Sequence, residues 1–164
     1  TSQPARGPYL MRGGGMDTLW FYYWGGASMH GKRHLTFGRA LGLAQLRADG
    51  FCSLRAFRFP GTLITKPFVW PGGALLINAL IVGGGGNGGV GVEVLDEDLT
   101  PIPGLTRADF DIFRYRDSTG HPCTWQQDSQ TIDKVTGQRI RLKFYLENAE
   151  LYSFRAADEH PESQ

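Results

Sequence analysis

The sequence predicts an all-β fold, with antiparallel strands packed as a two-sheet β-sandwich of jelly-roll type. Aromatic residues make up 12% of the 164 residues and glycine occurs 23 times, a composition that favours sheets and turns. Short apolar segments are separated by turn residues, and no segment shows the period of a long amphipathic helix. Short strands without intervening helices indicate antiparallel pairing rather than a parallel α/β arrangement.

The length of the chain predicts one domain with its own hydrophobic core. Residues 1–15 and 156–164 lack apolar periodicity, so we expect flexible segments at both ends and one sandwich domain over 16–155. The chain begins with Thr1 and carries no signal peptide, which predicts a processed product or a fragment of a larger protein.

The charge balance restricts the class of partner. The chain has 17 Lys and Arg against 16 Asp and Glu, a net charge of +1, which argues against nucleic acid and anionic membranes. The longest apolar stretch, residues 74–82, is interrupted by Asn78 and is too short to cross a bilayer as a helix. The expected ligand is therefore neutral or small.

The first half of the domain contains three predicted strands. Residues 19–24 are aromatic on both faces, so this strand needs cover on both sides. A loop over 25–38 leads to a second strand at 39–47. Asp49-Gly50 then predicts a type I′ turn that joins this strand to a third one at 51–57 as a hairpin.

The second half contains further strands, the clearest of which covers residues 140–146. Apolar and polar residues alternate there strictly, with Lys143 and Tyr145 on the polar side, as expected for a half-buried strand. Pro67 and Pro71 keep residues 68–70 out of a central ladder. Other strands are predicted at 63–66, 74–82, 90–95 and 151–155.

Several short segments follow one another in a characteristic order over residues 20–155. They are Gly42-Leu43-Ala44, Asp49-Gly50-Phe51, Thr65-Lys66-Pro67, Val92-Glu93-Val94-Leu95-Asp96, Pro101-Ile102-Pro103-Gly104, Arg141-Leu142-Lys143-Phe144 and Leu151-Tyr152-Ser153-Phe154. In this order they resemble the C-terminal β-sandwich domains of five-bladed-propeller glycoside hydrolases related to invertases. The resemblance implies an extracellular or secreted accessory domain beside a propeller glycosidase domain in cis. The catalytic carboxylates of such proteins lie in the propeller, so we expect no enzyme activity here.

Carbohydrate binding calls for exposed aromatic rings beside polar groups, because sugar C–H faces stack on rings while hydroxyls bond polar side chains. The stretch 114–125 is polar and loop-like, and Trp70 is flanked by residues that favour an exposed turn. The candidate ligand-binding residues are Trp125, Trp70, Tyr115, His121, Asp117, Arg114 and Trp24. The alternative for Trp125 is an inward-facing position in the core.

A second aromatic surface is predicted on the strand at 19–24. Trp20, Tyr22 and Trp24 alternate along it and share one face. This face is either a stacking platform for sugars or an interface with another domain or a second copy of the chain, and large clustered rings favour the interface.

The sequence offers two candidate metal sites, and no other cofactor is expected. Residues 96–98, Asp-Glu-Asp, have the composition of a solvated turn and supply oxygen ligands for a possible structural calcium ion. His30, His34 and His121 could form a three-histidine site only if the fold brings them together. Cys52 and Cys123 could form a disulfide or remain free thiols.

Three function classes follow. The leading hypothesis is a non-catalytic carbohydrate-binding module that targets an appended glycoside hydrolase to a polysaccharide or oligosaccharide. The alternative is a structural accessory domain that braces a propeller glycosidase and binds no sugar. A small metal-dependent enzyme of jelly-roll fold is the third class.

Overall fold

The computed structural model describes residues 9–11, 17–26, 39–82, 88–114 and 117–157. The chain divides into two compact units, residues 1–48 and 49–164. Every strand pair within these ranges is antiparallel, which confirms the predicted all-β class. The single domain over 16–155 stays a prediction.

The first unit contains a three-stranded sheet in the order β1-β2-β3. Its strands are β1 (Tyr9–Met11), β2 (Thr18–Gly26) and β3 (Arg39–Arg47). β2 and β3 pair along their whole length, which confirms the strands predicted at 19–24 and 39–47. Most of the loop predicted between them, residues 27–38, lies outside the described residues.

The second unit contains two four-stranded sheets. Its strands are β4 (Leu54–Ala56), β5 (Gly61–Ile64), β6 (Phe68–Val69), β7 (Leu75–Ile81), β8 (Gly89–Leu95), β9 (Asp117–Pro122), β10 (Arg139–Glu147) and β11 (Ala149–Ala156). One sheet has the order β4-β11-β7-β9, and in the other β10 pairs with β8 on one edge and with β5 and then β6 on the other. No helix in the described part of the chain is long and apolar enough to span a membrane.

Both sheets of the second unit contribute to one contiguous hydrophobic core. The inward side chains of β10 are all buried: Ile140, Leu142, Phe144 and Leu146. They belong to the same cluster as the valines of β8 and the apolar residues of β7, so two sheets enclose one core as in a β-sandwich. Burying each such side chain contributes about 1.5–3 kcal/mol. The jelly-roll connectivity stays a prediction.

A β-bulge explains why the last strand does not alternate regularly in sequence. Tyr152 is an extra residue in β11, between Leu151 and Ser153, which pair with adjacent residues of β7. Because the bulge shifts the alternation by one residue, Leu151 is buried and Phe154 also packs on the core. The ring of Phe154 lies 5.4 Å from that of Phe144.

The hairpin predicted at Asp49-Gly50 is wrong. β3 pairs with β2 in the first unit, whereas the next strand, β4, pairs with β11 in the second. Asp49 has a φ of 54°, but Gly50 is not in the positive-φ region, so the type I′ turn that would align two strands does not form.

The stretch predicted as an exposed loop, residues 114–125, contains a strand instead. β9 (Asp117–Pro122) pairs with β7 at the edge of its sheet. An edge strand needs only one hydrogen-bonded neighbour and tolerates polar residues and proline. Its sequence therefore lacks the apolar alternation by which a strand is recognised.

The two cysteines do not form a disulfide. Cys52 is exposed and Cys123 is buried, and both are free thiols. Burial raises the pKa of the Cys123 thiol. Cys123 therefore acts as a small apolar side chain of the core.

β5 ends before Pro67, which prevents a continuous strand along this edge of β10. Thr65 keeps the edge hydrogen bonded in the gap between β5 and β6. The amide of Thr65 donates to the carbonyl of Leu142 at 3.0 Å. The amide of Leu142 donates in return to the Thr65 hydroxyl, also at 3.0 Å, so a side chain replaces the missing backbone acceptor. The Arg141 guanidinium bonds the Thr65 carbonyl at 3.2 Å.

Replacing Thr65 tests whether its hydroxyl serves as the acceptor that the backbone lacks at this point. Thr65→Val keeps the shape of the side chain but leaves the Leu142 amide without its acceptor, so we expect a loss of about 1–2 kcal/mol in the free energy of unfolding. Urea denaturation measures this loss. Thr65→Ser retains the hydroxyl and should lose less, and equal stability of the valine variant and the parent would contradict the assignment.

Candidate functional site

The outward face of β10 forms the floor of the candidate site. Because β10 buries every second residue, Lys143, Tyr145 and Glu147 lie on its opposite face. The strand register places Thr62, Tyr145 and Gly91 in one row across β5, β10 and β8. The adjacent row contains Ile64, Lys143 and Glu93.

A cavity of about 360 Å³ lies on this face, and we call it the β10 groove. Its lining includes Thr62, Gly91, Arg107, Arg114, Tyr145 and Glu147. Gly89 and Gly91 have no side chains, so nothing projects from the β8 side of the floor into the groove at these two positions. The segment 107–114 borders the other edge of β8, where Val90 and Phe113 exchange two backbone hydrogen bonds of 3.0 and 3.2 Å.

Glu93 anchors the polar groups around the groove. Its side chain belongs to a residue only 8% exposed, and the Tyr145 hydroxyl donates to one carboxylate oxygen at 2.6 Å. The Lys143 ammonium lies 3.9 Å from the same oxygen, and the Arg107 amide donates to the other at 3.4 Å. The hydrogen bond with Tyr145 and the charge of Glu93 raise the pKa of Lys143.

Tyr145 also holds two cations near its ring. The Arg107 guanidinium carbon lies 4.2 Å from the ring centroid, and the Lys143 nitrogen lies 4.9 Å from it. Such cation–π contacts are worth about 0.5–1 kcal/mol at exposed sites. The ring therefore favours a position of the Arg107 guanidinium at the groove.

The groove can bind polar ligands through several kinds of group. Thr62 supplies a hydroxyl that donates or accepts, Glu147 supplies acceptors, and Arg107 and Arg114 supply planar arrays of donors. All of them are carried by strands or by a segment bonded to a strand edge. Such a site needs little ordering when a ligand binds.

The structure places two predicted binding residues in the core. Trp125 is 0% exposed and Trp70 is 1% exposed, so the expectation that their rings are available for stacking is wrong. Trp125 packs edge-on against Phe110 at 5.2 Å, and Trp70 packs against Phe68 at 6.3 Å. Burial of so much apolar surface stabilises the fold more than exposure in a turn would.

Of the remaining predicted residues that the structure describes, Arg114 and His121 line one cavity and Asp117 does not. His121 is half-buried with its ring 4.5 Å from that of Phe113, and Asp117 is exposed at the start of β9. Arg114 lines both the β10 groove and a second cavity of about 400 Å³ that includes His121. Tyr115 and the side chain of Trp24 lie outside the described residues.

The predicted aromatic face of β2 is in register with β3. Trp20, Tyr22 and Trp24 pair directly with Gln45, Leu43 and Leu41 of β3, so these six residues share one face of the first sheet. Its role as a stacking platform or as an interface stays a prediction.

The acidic residues 96–98 form a turn. The Asp96 carboxylate accepts hydrogen bonds from the amides of Asp98 at 2.9 Å and Thr100 at 2.8 Å, while Glu97 forms an ion pair with Arg139 at 2.9 Å. Within the described ranges no three His, Cys, Asp or Glu residues are grouped so as to hold a metal ion. His30 and His34 lie outside those ranges. The structural calcium ion stays a prediction.

A carboxylate holds the loop that follows Trp125. Residues 126–128 have three consecutive positive φ angles of 54°, 57° and 64°, a conformation that non-glycine residues rarely adopt. The Asp111 carboxylate accepts the amides of Gln127 at 2.9 Å and Asp128 at 3.1 Å, and the Thr124 hydroxyl at 2.9 Å. Burial alone would raise the pKa of Asp111, but these hydrogen bonds outweigh it and lower the pKa.

Sequence reasoning missed the residues that form the groove, namely Thr62, Gly91, Arg107, Tyr145 and Glu147. One available signal was Tyr145, an aromatic residue on the polar side of a strictly alternating strand. The glycines of β8 were a second signal, because glycine in a strand often marks a place where a ligand approaches the backbone. The pairing of the two strands was needed to combine these signals.

Comparisons with protein-family models, with curated proteins and with solved structures found no match to this chain. The likeness to the sandwich domains of propeller glycosidases therefore stays a prediction.

The role of Asp111 is tested by the pH dependence of stability. The pKa of Asp111 is lower in the folded chain than in the unfolded one, so its stabilisation is complete above about pH 4 and is lost as the pH falls through the folded value. We expect Asp111→Asn to cost about 1 kcal/mol at neutral pH, and this cost should shrink progressively as the pH falls below about 4. Denaturation at several pH values measures this; a difference that stays constant with pH would refute the role.

Proposed function

We propose that this chain is a non-catalytic domain that binds a saccharide chain in the β10 groove. The observation that carries the proposal is the row of Thr62, Tyr145 and Gly91, which sets a hydroxyl and a fixed aromatic side chain beside a floor without side chains. The volume of the groove falls within the range of small-molecule sites, roughly 300–1,000 Å³.

The chemistry of the groove favours a hydroxyl-rich ligand. A sugar presents C–H faces that pack on apolar and aromatic surface, and hydroxyls that both donate and accept. Tyr145 and Ile112 supply apolar surface, while Thr62 and Glu147 supply acceptors and Arg114 supplies donors. An open groove also admits a chain that extends beyond one sugar ring.

The sequence resemblance supports an accessory role for this binding. A module that holds a polysaccharide beside a propeller glycosidase in cis raises the local concentration of substrate for that enzyme. Under this proposal the protein acts outside the cell and its partner domain performs the hydrolysis.

A structural bracing role is the second candidate, and an apolar surface favours it. Phe51, Phe57 and Phe59 are 70%, 56% and 82% exposed within one short segment of the second unit. Exposed aromatic side chains favour an interface with another protein or domain where they form one surface. A bracing domain would bury this surface and leave the β10 groove without a ligand.

Filling the groove separates the two candidates. A Cβ on Gly91 would meet Tyr145 at ordinary contact distances of 3.6 and 3.9 Å, so β8 accepts a side chain there. Gly91→Ala should therefore fold and narrow the floor, and we expect affinity for a bound polysaccharide to fall by about threefold or more. Affinity electrophoresis against soluble plant and microbial polysaccharides measures the change.

Gly120→Ala on β9 is the matched control, because a Cβ there meets only the flexible end of Arg155. This variant should bind as the parent does. Thr62→Val, which replaces the hydroxyl with a methyl group of similar size, provides a second test with little risk to folding. Retention of polysaccharide binding by both groove variants would contradict this site, and no binding by the parent would favour the bracing role.

A further inference from the structure

The charged groups that line the β10 groove are unequal in sign. Two guanidinium groups, Arg107 and Arg114, and one carboxylate, Glu147, border the cavity, a net charge of +1. Beside them, Glu93 and Lys143 neutralise one another at 3.9 Å. The lining of the groove therefore carries an excess of one positive charge.

Both guanidinium groups are available to a ligand. Among the described residues neither Arg107 nor Arg114 forms an ion pair, and both residues are exposed. Arg107 is positioned by the Tyr145 ring at 4.2 Å and by its own amide, which donates to Glu93. Arg114 follows Phe113, whose backbone is hydrogen bonded to β8. The backbone from which the Arg114 side chain extends is therefore held beside the groove.

The placement of these cations is local rather than a property of the whole surface. The complete chain has a net charge of only +1. A guanidinium group presents a planar set of donors that matches a carboxylate and forms two parallel hydrogen bonds with it. Neutral sugars offer no such partner, so two unpaired guanidinium groups beside a sugar-sized groove are best explained by an acidic ligand.

We infer that the β10 groove selects acidic saccharides, with Arg114 bonding the carboxylate of a uronate unit and Arg107 binding beside it from its position on Tyr145. This inference rests on the proposed function and names its ligand class. Thr62 and Glu147 would then bond the hydroxyls of the same or the next sugar unit.

The test compares polymers that differ only in charge. Polygalacturonate and its fully methyl-esterified form are run against the parent chain in affinity electrophoresis, with alginate and glucuronan as further acidic polymers and dextran sulfate as a polyanion without uronate. We expect at least one uronate polymer to bind about tenfold or more tightly than neutral and esterified polymers. Added salt should weaken this binding.

Arg114→Gln is the informative variant, because Arg114 is exposed and forms no ion pair among the described residues. It should lose about tenfold in affinity for the uronate polymer and little for neutral ones. Arg58→Gln removes an exposed charge outside the groove and should bind as the parent does.

Each remaining outcome overturns the inference in a distinguishable way. Equal or tighter binding of esterified and neutral polymers would refute uronate selectivity and leave saccharide binding intact. Equal binding of dextran sulfate, or equal losses in Arg114→Gln and Arg58→Gln, would indicate non-specific attraction of polyanions. If no polymer binds, the proposed function itself fails.

Discussion

The structure of the second unit depends on the strict alternation of β10. One face of this strand supplies Ile140, Leu142, Phe144 and Leu146 to the core, while it pairs with β8 on one edge and with β5 and β6 on the other. A shift of register by one residue would exchange its two faces and place charged groups in the core. The same constraint that builds the core therefore fixes which side chains face outward.

The groove is a consequence of that outward face. Tyr145 and Lys143 lie on β10, which has partner strands on both of its edges. Glu93 on the neighbouring strand β8 contacts both side chains. A buried carboxylate is costly unless it is paired and hydrogen bonded. The Glu93 carboxylate therefore depends on both Tyr145 and Lys143 for its stability in this position. Rigid strands thus position the polar groups, and the glycines of β8 leave the space beside them.

The sequence predicted the fold class and most strands, because those depend on local alternation. It did not predict features that depend on which residues are neighbours in space, namely strand pairing and the burial of single side chains. Asp49-Gly50 suggested a hairpin, but β4 is paired by β11, nearly a hundred residues later. β9 has no apolar pattern because an edge strand needs none, and Trp125 and Trp70 sit among polar and turn residues yet pack inward. The groove combines β5, β8 and β10, which are distant in sequence, so only their register could place Thr62 beside Tyr145.

The most direct measurement is the mapping of ligand contacts by nuclear magnetic resonance, with backbone amide shifts followed while a uronate oligosaccharide is added. We expect saturable shifts at the groove, in residues 61–62, 89–91, 107, 114 and 145–147. Shifts confined to the aromatic strand β2 or to the segment 51–59, or no shifts at all, would contradict the claim that the outward face of β10 is the binding site.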